Sequence, residues 1–161
     1  MLVFCSLIVL AQAPSSTSRP EIGTWKQNFE KSKYAAGTTP PRSSIRRYEA
    51  RPDGFFVTTN ETVDAQGNPT FGQVVYKYDG KDYGFPSQIT LAEFLATGKK
   101  TWTTQAFMVM DANTVQATAK DNTGKVTGTF VRQVSKDGKT ITQTGKDTSG
   151  KITNVTVFDK Q

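Results

Sequence analysis

The sequence predicts an all-β protein: an antiparallel up-and-down β-barrel of about 8–10 strands with one or two short helical segments. Three observations predict it. Turn chemistry recurs at Pro52-Asp53-Gly54, Asp64 to Gly67, Asp79-Gly80, Asp111 to Asn113, Asp121 to Gly124, Asp137-Gly138 and Asp147 to Gly150. Most of these turns lie about 10 to 16 residues apart, the repeat of consecutive antiparallel strands. Between them the chain is rich in Thr, Val, Phe and Tyr, which suit a pleated, half-buried surface. Finally, polarity alternates with a period of two, so one face of each strand is buried and the other wet.

The elements follow in order. Strands are expected near 23–29, 43–50, 55–63, 70–78, 101–110, 114–120, 125–134, 139–146 and 151–158. Val74, Tyr76 and Tyr78 oppose Gln73 and Lys77; Val115, Ala117 and Ala119 oppose Gln116, Thr118 and Lys120; Val126, Gly128 and Phe130 oppose Thr127 and Thr129. Two segments break the strand rhythm. Phe29 to Pro41 is expected to form a helical turn before its Gly-Thr-Thr-Pro-Pro stop. Ser87 to Gly98 places Ile89, Leu91, Phe94 and Leu95 at helical spacing, with Thr90 as N-cap and Gly98 as stop.

At the N-terminus an apolar run ends in Ala11-Gln12-Ala13, which reads as a signal peptide over residues 1–13 with an A-x-A cleavage site. The run is too short to span a bilayer as a helix. Residues 14–20, PSSTSRP, read as a flexible linker, and residues 21–161 as one barrel domain. The expected location is therefore secreted or periplasmic. Cys5 falls within the signal and the sequence contains no histidine. A disulfide framework, Cys/His metal ligation and Ser-His-Asp or Cys-His catalysis are thereby excluded from the mature chain. Nothing in the spacing calls for a cofactor. The Asp-x-x-Gly loops lack the alternating acidic ligands of a calcium loop.

Formal net charge is +6, from 20 Lys and Arg against 14 Asp and Glu. The lysines sit mostly in turns (Lys81, Lys125, Lys139, Lys151), where they solvate hairpin ends and blunt sheet edges. No recognition-helix or zinc-finger pattern accompanies them, so no nucleic-acid partner is expected.

Gly23-Thr24-Trp25-Lys26-Gln27-Asn28 resembles the Gly-x-Trp opening of lipocalin-like and fatty-acid-binding-type barrels. Together with YKYDGKDY and VSKDGKTIT, it makes the chain similar to a group of small exported bacterial proteins of lipocalin-like (calycin-type) character. The chain lacks the cysteines and later motifs of true lipocalins. The resemblance implies that Trp25 closes the barrel bottom and that a basic residue of a late strand packs over it. Arg132, which shares strand parity with Phe130 and Val134, occupies that place, and both residues are expected to be structural.

The aromatic side chains Tyr48, Tyr76, Trp102 and Phe130 fall on strands where they either line a pocket or fill a solid core. Arg46 and Tyr48 share one strand face and Arg47 takes the other. Fatty-acid-binding-type barrels hold a carboxylate with an interior Arg and a Tyr, so the resemblance implies a ligand-facing Arg46; the alternative is an edge-strand charge in solvent. The carboxylates, among them Asp79, Asp82, Asp147 and Asp159, are turn or terminal residues and single out no catalytic set. The expected function is binding of a small apolar or amphipathic molecule inside the barrel, through Arg46, Tyr48, Tyr76, Trp102 and Phe130, without enzymatic activity. Two alternatives remain: a structural or adhesive surface module with a solid core, and a barrel isomerase or cyclase working without His or Cys.

Overall fold

The computed structural model of the protein describes residues 19–86 and 102–161. It contains ten strands: β1 (Gly23–Tyr34), β2 (Ser43–Ala50), β3 (Phe56–Val63), β4 (Pro69–Tyr76), β5 (Asp82–Pro86), β6 (Trp102–Val109), β7 (Thr114–Lys120), β8 (Val126–Val134), β9 (Thr140–Lys146) and β10 (Ile152–Lys160). They form one sheet in the order β4-β3-β2-β1-β10-β9-β8-β7-β6-β5, and every pairing is antiparallel. Sequential neighbours pair except β4 and β5, and β1 meets β10 to join the two halves. The sheet curls until its end strands β4 and β5 lie alongside one another, giving a nearly closed up-and-down barrel.

Eight of the nine expected strands agree within two residues at either end, and the first runs further than expected. The extra element is β5, a five-residue strand paired with β6. The helical turn expected over Phe29 to Pro41 is not formed: β1 continues to Tyr34. Its register jumps from Asn28 opposite Val157 to Lys33 opposite Val155, so residues 29–32 bulge out of the ladder. Asn28 Oδ1 accepts the Lys31 amide at 3.0 Å, and the Ser32 hydroxyl donates to the Asn28 carbonyl at 2.6 Å. Ser32 Oγ also accepts the Val157 amide at 3.0 Å, restoring a bond the ladder lost. These short-range bonds across three and four residues hold a bulge where a helical turn was expected. The helix expected over 87–98 lies outside the described residues, as do the signal peptide and residues 14–18. Among the described residues there is no helix.

The turns work as their chemistry requires. Asp121 Oδ1 accepts the amides of Thr123 and Lys125, and Asp147 Oδ1 those of Ser149 and Lys151. Gly124 and Gly150 close these turns at φ 84°, a left-handed conformation that glycine takes without steric cost.

Inside the barrel the core has two parts. Phe56, Val74, Tyr76, Phe107, Val115 and Ala117 pack in one, and Trp25, Tyr48, Val134, Ile141 and Phe158 in the other. Large and small residues alternate around the wall: Phe130 of β8 stands between Ala117 of β7 and Gly145 of β9. Arg132, two residues on, stands between Val115 and Gln143 on the same inner face.

Candidate functional site

Strand parity turns Arg46 and Tyr48 of β2, Asn60 of β3, Phe130 and Arg132 of β8 and Gln143 of β9 toward a shared interior cavity of about 100 Å³. Thr58, Val74, Gln105 and Phe107 complete its wall. Liquid water takes about 30 Å³ per molecule, so the space suits a few waters or a small polar group. It falls below the roughly 300–1,000 Å³ typical of pockets for drug-sized ligands.

Arg46 is half-buried and firmly held. Its Nε donates to Asn60 Oδ1 at 2.6 Å, and its Nη1 to Gln143 Oε1 at 2.8 Å and to the Tyr48 hydroxyl at 3.3 Å. The guanidinium also lies over the Phe158 ring, 4.5 Å from its centroid. Arginine is only a donor, so both amides must turn their oxygens toward it. Their NH₂ groups are thereby directed away from Arg46.

Arg132 is 3% exposed and sits 4.3 Å above the centre of the Tyr48 ring. Its Nη2 donates to the Tyr78 hydroxyl at 2.9 Å and to the Tyr76 hydroxyl at 3.4 Å. Its Nε has no hydrogen-bond partner. Burial opposes the charge of Arg132, but the Tyr48, Tyr76 and Tyr78 phenols and the Glu21 carboxylate outweigh it and raise its pKa. Burial likewise pushes the Tyr48 hydroxyl up, yet the Arg132 and Arg46 guanidinia beside it leave its pKa below the ordinary tyrosine value of 10.0.

Among the described residues the wall thus carries two guanidinia and no carboxylate. The carboxylate behind it is Glu21, 1% exposed, which pairs with Arg19 at 2.9 Å and lies 4.0 Å from Arg132. Arg19 falls within the segment read as linker; it is buried and lies over the Tyr78 ring at 5.0 Å. The apolar side of the cavity is aromatic. Tyr76 stacks on Phe107 with centroids 3.8 Å apart, and Phe130 meets Phe107 edge-on at 6.1 Å.

Of the residues singled out from sequence, Arg46, Tyr48 and Phe130 come together in the cavity wall. Tyr76 lies just behind it, fully buried, its hydroxyl shared with Thr58 at 3.1 Å. Trp102 opens β6, and its side chain lies outside the described residues. Trp25 and Arg132 are both buried, but the expected stack between them is replaced by two others. Lys160 lies over Trp25 at 5.2 Å, and Arg132 lies over Tyr48, which brings Arg132 into the cavity wall. Sequence reasoning missed Asn60, Gln105, Gln143 and Glu21. The available signal was polarity at inward parity: Asn60 shares a face with Phe56, and Gln143 with Ile141.

No protein-family model and no curated protein matches the sequence. Among solved structures, an asparagine-to-glutamine mutant of the fluorescent protein UnaG is similar. Its TM-score is 0.54 at 14% identity, over 86% of this chain and 94% of that one. At that identity the likeness is one of fold alone, an antiparallel β-barrel.

Proposed function

We propose that this protein is an exported, non-enzymatic binding protein that takes the anionic end of a small amphipathic molecule into its barrel. Arg46, Tyr48 and Arg132 hold the charge, and Phe107 and Phe130 contact the apolar part. One observation carries this reading: two buried or half-buried guanidinia line a cavity whose wall holds no carboxylate among the described residues. Arg46 is held by neutral partners alone and Arg132 has only Glu21, 4.0 Å behind it, so an incoming oxyanion offsets the cost of burying these charges. The rest of the wall points the same way. Among the described residues Arg132 Nε is a buried donor without a partner, and Asn60 and Gln143 already commit their oxygens to Arg46. The fluorescent UnaG barrel shares the fold and lends no ligand class by name.

The test is a titration of the purified mature protein with propionate and, separately, with propionamide, followed by Tyr and Trp fluorescence. Propionate is expected to bind saturably and the uncharged amide at least about tenfold more weakly, the value of a charge-assisted contact over a neutral one. Arg46→Gln is expected to weaken propionate binding by a similar factor. Equal affinity for the acid and its amide would remove the anion from the function. For export, N-terminal sequencing of secreted material is expected to begin at or near Pro14, and an intact Met1 there contradicts it.

A further inference from the structure

Arg132 stands between two regions. On one side is the cavity; on the other is the segment of residues 19–22 that leads into β1. Ile22 packs that segment against both parts of the core, and Glu21 supplies its polar attachment. Its Oε1 receives Arg19 Nε at 2.9 Å and the Tyr78 hydroxyl at 2.6 Å, while its main-chain oxygen accepts the Trp25 indole N–H at 2.8 Å. Tyr78 in turn accepts from Arg132 Nη2 at 2.9 Å, so Tyr78 relays Arg132 to the carboxylate, itself 4.0 Å from the guanidinium. Glu21 is therefore a buried anion spending its charge on Arg132 from behind, while the free Nε belongs to the same guanidinium in the cavity wall.

We infer that Glu21 is the resident counter-ion of the cavity, a positioning residue that holds Arg132 in place and competes with any incoming anion for its charge. The inference rests on the anion-binding reading above. Two like charges on either side of one guanidinium repel, and at an effective dielectric of about 20 the repulsion is enough to move an affinity about tenfold. Coupling of this kind is reciprocal. An anion in the cavity must weaken the hold of Glu21 on Arg132, and so loosen the docking of residues 19–22. Occupancy of the cavity and docking of the N-terminal segment oppose one another.

The experiment compares wild type with Glu21→Gln, which keeps shape and removes charge, using propionate and propionamide as probes. Glu21→Gln is expected to bind propionate about tenfold more tightly than wild type, with propionamide affinity unchanged. Binding in the variant that is equal to or weaker than wild type overturns the inference while leaving the anion site standing. If neither protein binds propionate, the anion reading falls and this inference with it. A second measurement needs no variant: exchange of the Trp25 indole N–H in wild type, free and saturated with propionate. Faster exchange on saturation is expected, because that proton is bonded to the Glu21 carbonyl. Unchanged or slower exchange overturns the coupling even where Glu21→Gln fails to fold.

Discussion

Arg132 is a cation held by three phenols and one carboxylate, and its removal should be felt in two ways. The first is stability. Taking one partner from a buried ionic cluster typically costs about 3–5 kcal/mol, and here Arg19 still faces Glu21, so Arg132→Met should cost about 3 kcal/mol in urea denaturation at pH 7. The second is acid resistance. Burial raises the Glu21 pKa, but Arg132, the strongest opposing influence, together with Tyr78 and Arg19, leaves it below the ordinary 4.5. A carboxyl depressed in the folded state adds stability that is complete above its ordinary value and lost as pH falls through the folded one. Removing Arg132 raises the folded value toward the ordinary one, so the variant's acid-unfolding midpoint should move to higher pH. An unmoved midpoint would show that Arg132 does not govern Glu21. That Arg132 points inward was legible from its parity with Phe130 and Val134. Its aromatic partner was not. Tyr48 and Trp25 both face the interior, on paired strands, and only the three-dimensional closure decides which of them lies beneath the guanidinium.

Among the elements, β8 and β9, and β9 and β10, come closer at one glycine each than a side chain there allows. A Cβ on Gly128 would lie 2.6 Å from the Lys146 carbonyl oxygen, a backbone atom with nowhere to go. On Gly145 it would lie 2.5 Å from Asn154 Oδ1, the end of a side chain that can rotate. Gly128→Ala should therefore cost about 1–3 kcal/mol, and Gly145→Ala distinctly less, each read as a shift in denaturation midpoint. The reverse order would mean that the wall yields at Lys146. Strands of seven or more residues bounded by Asp-Gly turns were readable from sequence because turn chemistry and period-two polarity agree there. Where the two signals conflict, legibility ends. β5 is only Asp82–Pro86, with Gly84 and Pro86 inside it, and both residues argue against a strand. The stretch after Asn28 imitates a helix start because Asn28 and Ser32 make bonds across three and four residues, yet those bonds anchor a bulge.

For the whole molecule, closure depends on two places that local sequence describes poorly. One is the β1–β10 pairing, which brings Asn28 against Val157 from opposite ends of the domain. No turn fixes that register; it follows from burying Trp25, Tyr48, Ile141 and Phe158 together. The cavity is a product of the same closure, since Arg46 of β2 reaches Gln143 of β9 only when the first and last strands have joined. The other place is the seam. Every strand has two ladder partners except β4 and β5, the ends of the strand order. Among the described residues no ladder joins β4 to the neighbouring β5, so alternate amides of β4 point into the seam unpaired by a ladder, and Phe71 and Val75 stand exposed on its outer face, 64% and 37% accessible. Strands with a ladder on one side only open locally at lower free energy than strands held on both. Amide exchange should accordingly be slowest in β1, β2, β9 and β10, and about tenfold faster or more in β4 and β5, when followed residue by residue at neutral pH. The contrast should persist in Arg132→Met, because that change acts on the core and not on the seam. Protection in β4 and β5 equal to that in β1 and β10 would mean that the seam is bridged, and the barrel would then have no edge from which to open.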